Sequence, residues 1–170
     1  MKKTILSMTL IVSVLSAMKT SAQTSAIATA NASAQVVTPI AITTGNHLNF
    51  GLVAPSAAAG TVVVATDGSR SFTGGASQLP GTGTVSAATF NVTGETGYSY
   101  AITLPADVTL TNGGGQTLVV NNFVSAPNGT GLLTAGAQTL EVGATLELVA
   151  NSTAGSYSSL TPFSVTVNYN

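Results

Sequence analysis

The feature that most constrains this chain is a two-residue rhythm of apolar and small polar side chains. It is clearest near the C-terminus, where Phe163, Val165, Val167 and Tyr169 alternate with Ser164, Thr166 and Asn168. Tyr98, Tyr100, Ile102 and Leu104 repeat it against Ser99, Ala101 and Thr103, and Phe90 and Val92 do so before Gly94. Successive side chains of a strand point to opposite faces, so this period describes sheets with one buried face. Val108 and Leu110 lead into Thr111-Asn112-Gly113-Gly114-Gly115, a turn cluster that reverses the chain into residues 118–124. Leu140 and Val142 pass through Gly143 to Leu146 and Leu148, in a hairpin or a bent strand. No segment past residue 22 sustains the i, i+3, i+4, i+7 stripe of an amphipathic helix, and Ala57-Ala58-Ala59 is bounded by Ser56 and Gly60. Short strands separated by Gly and Asn turns predict an all-β, single-domain antiparallel sandwich.

The first 22 residues belong to a different pattern. Met1-Lys2-Lys3 is a basic start, residues 4–17 are an apolar run, and Thr20-Ser21-Ala22 offers small residues before Gln23. This is the layout of a secretory signal peptide, and the run is shorter than a membrane-spanning helix requires. The expected organisation is a signal peptide over residues 1–22, an N-terminal extension over 23–34 and a sandwich over 35–170. The expected location is outside the inner membrane, from periplasm to cell surface or beyond, with no span in the mature chain.

Charge narrows the function further. Lys and Arg total 4 in the whole chain. Past residue 22 the one base is Arg70, against Asp67, Glu95, Asp107, Glu141 and Glu147. A nucleic-acid partner is excluded, because phosphate contacts need clustered cations. There is no cysteine, so neither a disulfide framework nor a thiolate metal site is available.

Catalytic patterns are equally sparse. His47 is the one histidine and lies in the polar turn Thr44-Gly45-Asn46-His47, and no Gly-x-Ser-x-Gly elbow accompanies it. Glu141 and Glu147 alternate with apolar residues, which places both toward solvent and not across a cleft. Asp67-Gly68-Ser69-Arg70 reads as a turn with a local ion pair, short of the oxygen ligands that calcium needs. Gly113-Gly114-Gly115 lacks the lysine and helix of a phosphate loop. The expectation is a protein without enzymatic activity and without a cofactor or metal.

The two ends carry the sharper signals. Ala26, Ala28, Ala30, Ala32 and Ala34 share one parity, giving a narrow ridge of small apolar groups if the segment is extended. Such a ridge suits either a first strand behind a frayed tail or a donor strand that enters a groove in another subunit. The final alternating strand carries no Lys or other charge after Pro162 to discourage pairing at its edge.

Leu48-Asn49-Phe50-Gly51 with Pro55 and Gly60-Thr61-Val62-Val63-Val64 resembles a secreted bacterial family, domain of unknown function four-four-zero-two. The resemblance continues through Phe90-Asn91-Val92-Thr93-Gly94, Tyr100-Ala101-Ile102-Thr103-Leu104-Pro105 and Leu140-Glu141-Val142-Gly143-Ala144-Thr145-Leu146. It closes with Ala154-Gly155-Ser156-Tyr157 and Val165-Thr166-Val167-Asn168-Tyr169. That family is in turn similar to spore-coat-U-like and archaic chaperone–usher pilin subunits, which share the Phe50-Gly51 step and the Gly155-x-Tyr157 turn before the last strand. Those pilins are immunoglobulin-like sandwiches lacking one strand. A periplasmic chaperone completes them first, and then the next subunit's N-terminal extension. The resemblance implies that Phe163, Val165, Val167 and Tyr169 form the chaperone-facing assembly strand and that Ala26 to Ala34 form the donor. It implies partners that are copies of the chain or related subunits, with a chaperone and usher. Pilins usually carry a cysteine pair, which this chain lacks. The leading expectation is therefore a structural subunit of a fimbria-like polymer. A self-contained secreted adhesin, carbohydrate-binding through polar loops, is the alternative.

Overall fold

The computed structural model describes residues 25–81 and 83–170, so the signal-peptide expectation lies outside the described residues. The chain divides into two units, residues 1–35 and residues 36–170. In the first, residues 25–35 form no strand and every one of them is exposed. A first strand is therefore not what this segment makes within its own chain. A strand exists only by pairing, and these residues have no ladder partner among the described residues.

The second unit is all-β among the described residues. Its early strands are β1 (Ala41–Thr44), β2 (Asn49–Phe50), β3 (Val53–Ala54), β4 (Gly60–Val64), β5 (Arg70–Gly74), β6 (Ser77–Gln78) and β7 (Val85–Ser86). The middle of the chain supplies β8 (Ala88–Thr93), β9 (Ser99–Thr103), β10 (Val108–Thr111), β11 (Thr117–Ala126) and β12 (Thr130–Leu132). Last come β13 (Ala137–Leu148), β14 (Ser158–Ser159) and β15 (Thr166–Tyr169). All pairings are antiparallel.

One eight-stranded sheet runs β1-β8-β13-β11-β10-β14, with β4 on β13 and β5 on β4. A three-stranded sheet runs β12-β9-β15. Strand β13 organises the larger sheet. Along one edge its first half pairs with β8 (Val142 opposite Ala88) and its second half with β4 (Ala144 opposite Val64). Along the other edge it pairs with β11. The passage through Gly143 is thus one continuous strand of 12 residues rather than a hairpin. A side chain at Gly143 would run into the carbonyl of Val64 and the backbone of Ala65 and Thr66. Glycine serves close approach here, not chain reversal.

The core has two parts. Val62, Val64, Leu118, Val120, Ala144, Leu146 and Leu148 fill one, together with Phe50. Phe90, Val92, Tyr100, Leu133, Leu140, Val142 and Val167 fill the other. Leu48 and Phe123 pack against both. Phe123 gets there through a register shift between Asn121 and Val124, where Asn122 adopts φ 48°. An extra residue in one strand re-aims the side chains around it.

The turn at residues 67–70 corrects one expectation. Asp67 Oδ1 accepts the Ser69 N–H at 2.8 Å. Arg70 forms no ion pair with Asp67. Its Nη1 donates to the carbonyls of Phe50 at 2.6 Å and Leu52 at 3.0 Å, and its guanidinium lies 4.7 Å from the Phe72 ring centre. Two fixed carbonyls and an aromatic face hold the guanidinium better than an exposed carboxylate does.

Candidate assembly surface

Strand β15 pairs with β9 and with no other strand among the described residues. Its register sets Thr166 opposite Thr103, Val167 opposite Ile102, Asn168 opposite Ala101 and Tyr169 opposite Tyr100. The Asn170 N–H donates to the Ser99 carbonyl, and the Ile102 N–H turns the other way, to the Gly129 carbonyl. Antiparallel ladders alternate hydrogen-bonded and non-bonded pairs. Asn168 and Thr166 therefore bond to β9, while the N–H and C=O of Val167 and Tyr169 point to the open edge. The side chains follow the expected parity. Phe163, Val165 and Tyr169 are half-buried, Val167 is buried, and Ser164, Thr166 and Asn168 are exposed.

The strand itself is shorter than the alternation suggests, because Phe163 and Val165 precede it. Continuing the register would set Pro105 opposite Ser164, and proline has no N–H to extend the ladder. Phe163 is nonetheless anchored, 6.4 Å from the Phe90 ring and 5.2 Å from Phe123. Tyr98, expected inside a strand, sits in the turn before β9, is 39% exposed and meets Tyr169 edge-on at 5.6 Å.

A closed set of hydrogen bonds stands at the end of this edge. The Tyr169 hydroxyl donates to the Thr38 carbonyl at 2.7 Å and accepts the Glu95 N–H at 2.6 Å. The Glu95 carboxylate accepts the Thr38 N–H at 2.8 Å. Gly94 makes room, since a side chain there would meet the Tyr169 ring and Leu133. The segment leading into β1, the β8–β9 turn and the last strand are thereby tied together. Glu95 and Thr38 were not singled out by the sequence, in which Glu95 is one of five acids. Among the described residues, strand β1 pairs with β8 alone, so it too is an edge.

The Thr38 N–H holds the Glu95 carboxyl below its ordinary value of 4.5, and Ser69, through its side chain and then its N–H, does the same for Asp67. A depressed carboxylate contributes stability above the unfolded pKa and loses it as pH falls through the folded one. Acidification below 4.5 is therefore expected to loosen the Thr38 contact. Glu95→Gln should remove that part of the acid sensitivity while leaving the part due to Asp67. Urea midpoints of the two proteins across the acid range check this. A variant as acid-sensitive as the parent would refute it.

The other marked residues lie apart from this edge. Phe50 is buried and Gly51 has φ 69° with its N–H on Asn49 Oδ1. Gly155 is exposed, and Tyr157 is half-buried with its hydroxyl on the Thr153 carbonyl at 2.8 Å. Phe50, Gly155 and Tyr157 line an apolar groove of about 820 Å³ over β10, β11 and the second half of β13. Phe163 lines the same groove, which joins it to the approach to β15. His47 is exposed, and its carbonyl accepts the Ser86 hydroxyl at 2.7 Å. Ala26, Ala28, Ala30, Ala32 and Ala34 are all exposed.

Among the described residues, no three His, Asp or Glu side chains cluster in a way that could hold a metal ion. No helix there is long and apolar enough to cross a membrane. No curated protein and no solved structure matches the chain. One family does, described as "Domain of unknown function (DUF4402)", over residues 40–169, from the lead into β1 to the last residue of β15. The chain belongs to this DUF4402 family.

Proposed function

We propose that this chain is a secreted, non-enzymatic structural subunit of a bacterial surface filament or fimbria-like polymer, assembled by β-strand exchange. The observation that carries the reading is the open β15 edge, uncharged and with the main-chain groups of Val167 and Tyr169 directed outward. A soluble protein usually guards such an edge with lysine, proline or a covering segment. Here the same chain also carries a strandless, exposed segment with alanine at every second position. Placed along β15 of another copy, that segment would restore main-chain hydrogen bonds and set its small ridge against the sandwich interior. The small sheet of three strands beside one of eight supports an immunoglobulin-like arrangement that lacks one strand, as in spore-coat-U-like and archaic chaperone–usher pilins. On that reading a periplasmic chaperone covers Phe163, Val165, Val167 and Tyr169 before a neighbouring subunit does.

Deleting residues 23–34 is the test. The intact chain should form filaments visible by negative-stain electron microscopy. The deletion variant should stay a folded monomer that binds a labelled peptide of residues 25–36. Filaments formed by the deletion variant, or an intact chain that neither assembles nor takes up the peptide, would overturn the proposal.

A further inference from the structure

A donor segment joined to its own acceptor edge presents a physical problem. Ala34 is four residues from Thr38, and Thr38 is bonded to Tyr169 at the end of the open edge. So short a tether corresponds to an effective concentration of the order of millimolar. A neighbour's segment in dilute solution cannot match that. The segment should fill its own edge and end assembly, unless the local geometry forbids closure.

We propose that Tyr169 and Glu95 supply that prohibition: they are positioning residues that hold Thr38 so that the N-terminal segment cannot close onto its own β15. The inference rests on the strand-exchange reading above. Because Thr38 lies at the Tyr169 end, a self-closing segment must begin its ladder beside Tyr169 and run toward Phe163, parallel to β15. The rungs nearest the turn would have to form next to Thr38. Both main-chain groups of Thr38 are already engaged, its N–H by the Glu95 carboxylate and its carbonyl by the Tyr169 hydroxyl. Pro39 follows, with no N–H of its own, and it disfavours the helical backbone that a tight reversal at Thr38 would use. Residues 35–37 alone would then have to reverse the chain. A segment from another copy meets none of these limits. It can pair antiparallel, the slightly more stable sense.

Two substitutions separate the contacts. Tyr169→Phe removes both hydroxyl bonds and keeps the ring against Tyr98, and Glu95→Ala removes the acceptor for the Thr38 N–H. In the dilute, monomeric full chain, amide exchange at residues 26–36 should be as fast as in an unstructured peptide. In the double variant, residues 28–34 and 165–169 should exchange about tenfold or more slowly, and the yield of polymer should fall by a similar factor. A double variant with unchanged near-ultraviolet circular dichroism, fast exchange in that segment and undiminished polymer would overturn the proposal. If the double variant does not fold, Glu95→Ala alone carries the same comparison. Binding of a labelled 25–36 peptide to the chain lacking residues 23–34 distinguishes the two levels. Peptide uptake without self-closure in the variants sinks the latch and leaves strand exchange standing. No uptake at all sinks strand exchange itself.

Discussion

Replacing Tyr100 by alanine is expected to lower stability by about 3–5 kcal/mol, a large part of what holds a domain of this size together. The side chain is fully buried at the middle of the three-stranded sheet. Its ring occupies the space where Gly131 of β12 has no side chain. Its hydroxyl donates to Gln138 Oε1 at 2.8 Å, and the same oxygen accepts the Leu132 N–H at 3.0 Å. Tyr100→Ala therefore opens a cavity and removes one of the two donors on Gln138. Tyr100→Phe keeps the ring and should cost only about 0.5–1.5 kcal/mol. Urea unfolding followed by circular dichroism separates the two. A midpoint for Tyr100→Ala close to that of Tyr100→Phe would show that the ring is not the support described.

Gly143→Ala is the second large effect, and its cause is the opposite one. Nothing is emptied, and a methyl group is forced against backbone. The obstacles are the Val64 carbonyl and the chain at Ala65 and Thr66, which cannot rotate aside as a side chain would. Overpacking of this kind costs about 1–3 kcal/mol. The strain falls where β13 passes from β8 to β4, so the β4–β5 pair should give way first. Hydrogen exchange at residues 61–64 should quicken by about tenfold, with the β1–β8 pair unaffected. Uniform acceleration across both pairs would mean that the strain is not local.

These two glycines show what was legible in the sequence and what was not. The alternation placed β8 to β11 and the buried parity of Phe163, Val165, Val167 and Tyr169, because strand periodicity is written locally. It could not tell a glycine that turns the chain from one that lets another backbone pass, so a hairpin at Gly143 stood beside a bent strand until the structure showed one continuous β13. Nor could it end β15 at Thr166, since that limit comes from Pro105, just beyond the partner strand β9. Arg70 went to the nearest acid in sequence, whereas in space the nearest acceptors are carbonyls some twenty residues away, 20 for Phe50 and 18 for Leu52. The contact of Glu95 with Tyr169 spans 74 residues and leaves no trace in any short window. The alternation of the last strand was visible in advance, and the hydrogen bonds of Tyr169 with Thr38 and Glu95 at its end were not.

The placement of Arg70 has one more consequence. Past residue 22 it is the sole side chain that a trypsin-like protease recognises, so that length of chain offers a single bond for cleavage, Arg70–Ser71. That bond lies within β5, laddered to β4, and the guanidinium a protease must take into its pocket is already held by Phe50 and Leu52. Digestion there requires β5 to detach first, so resistance to trypsin reports how often that edge opens. Few cationic residues past residue 22, and a guanidinium already held, leave the folded domain a small target for such a protease.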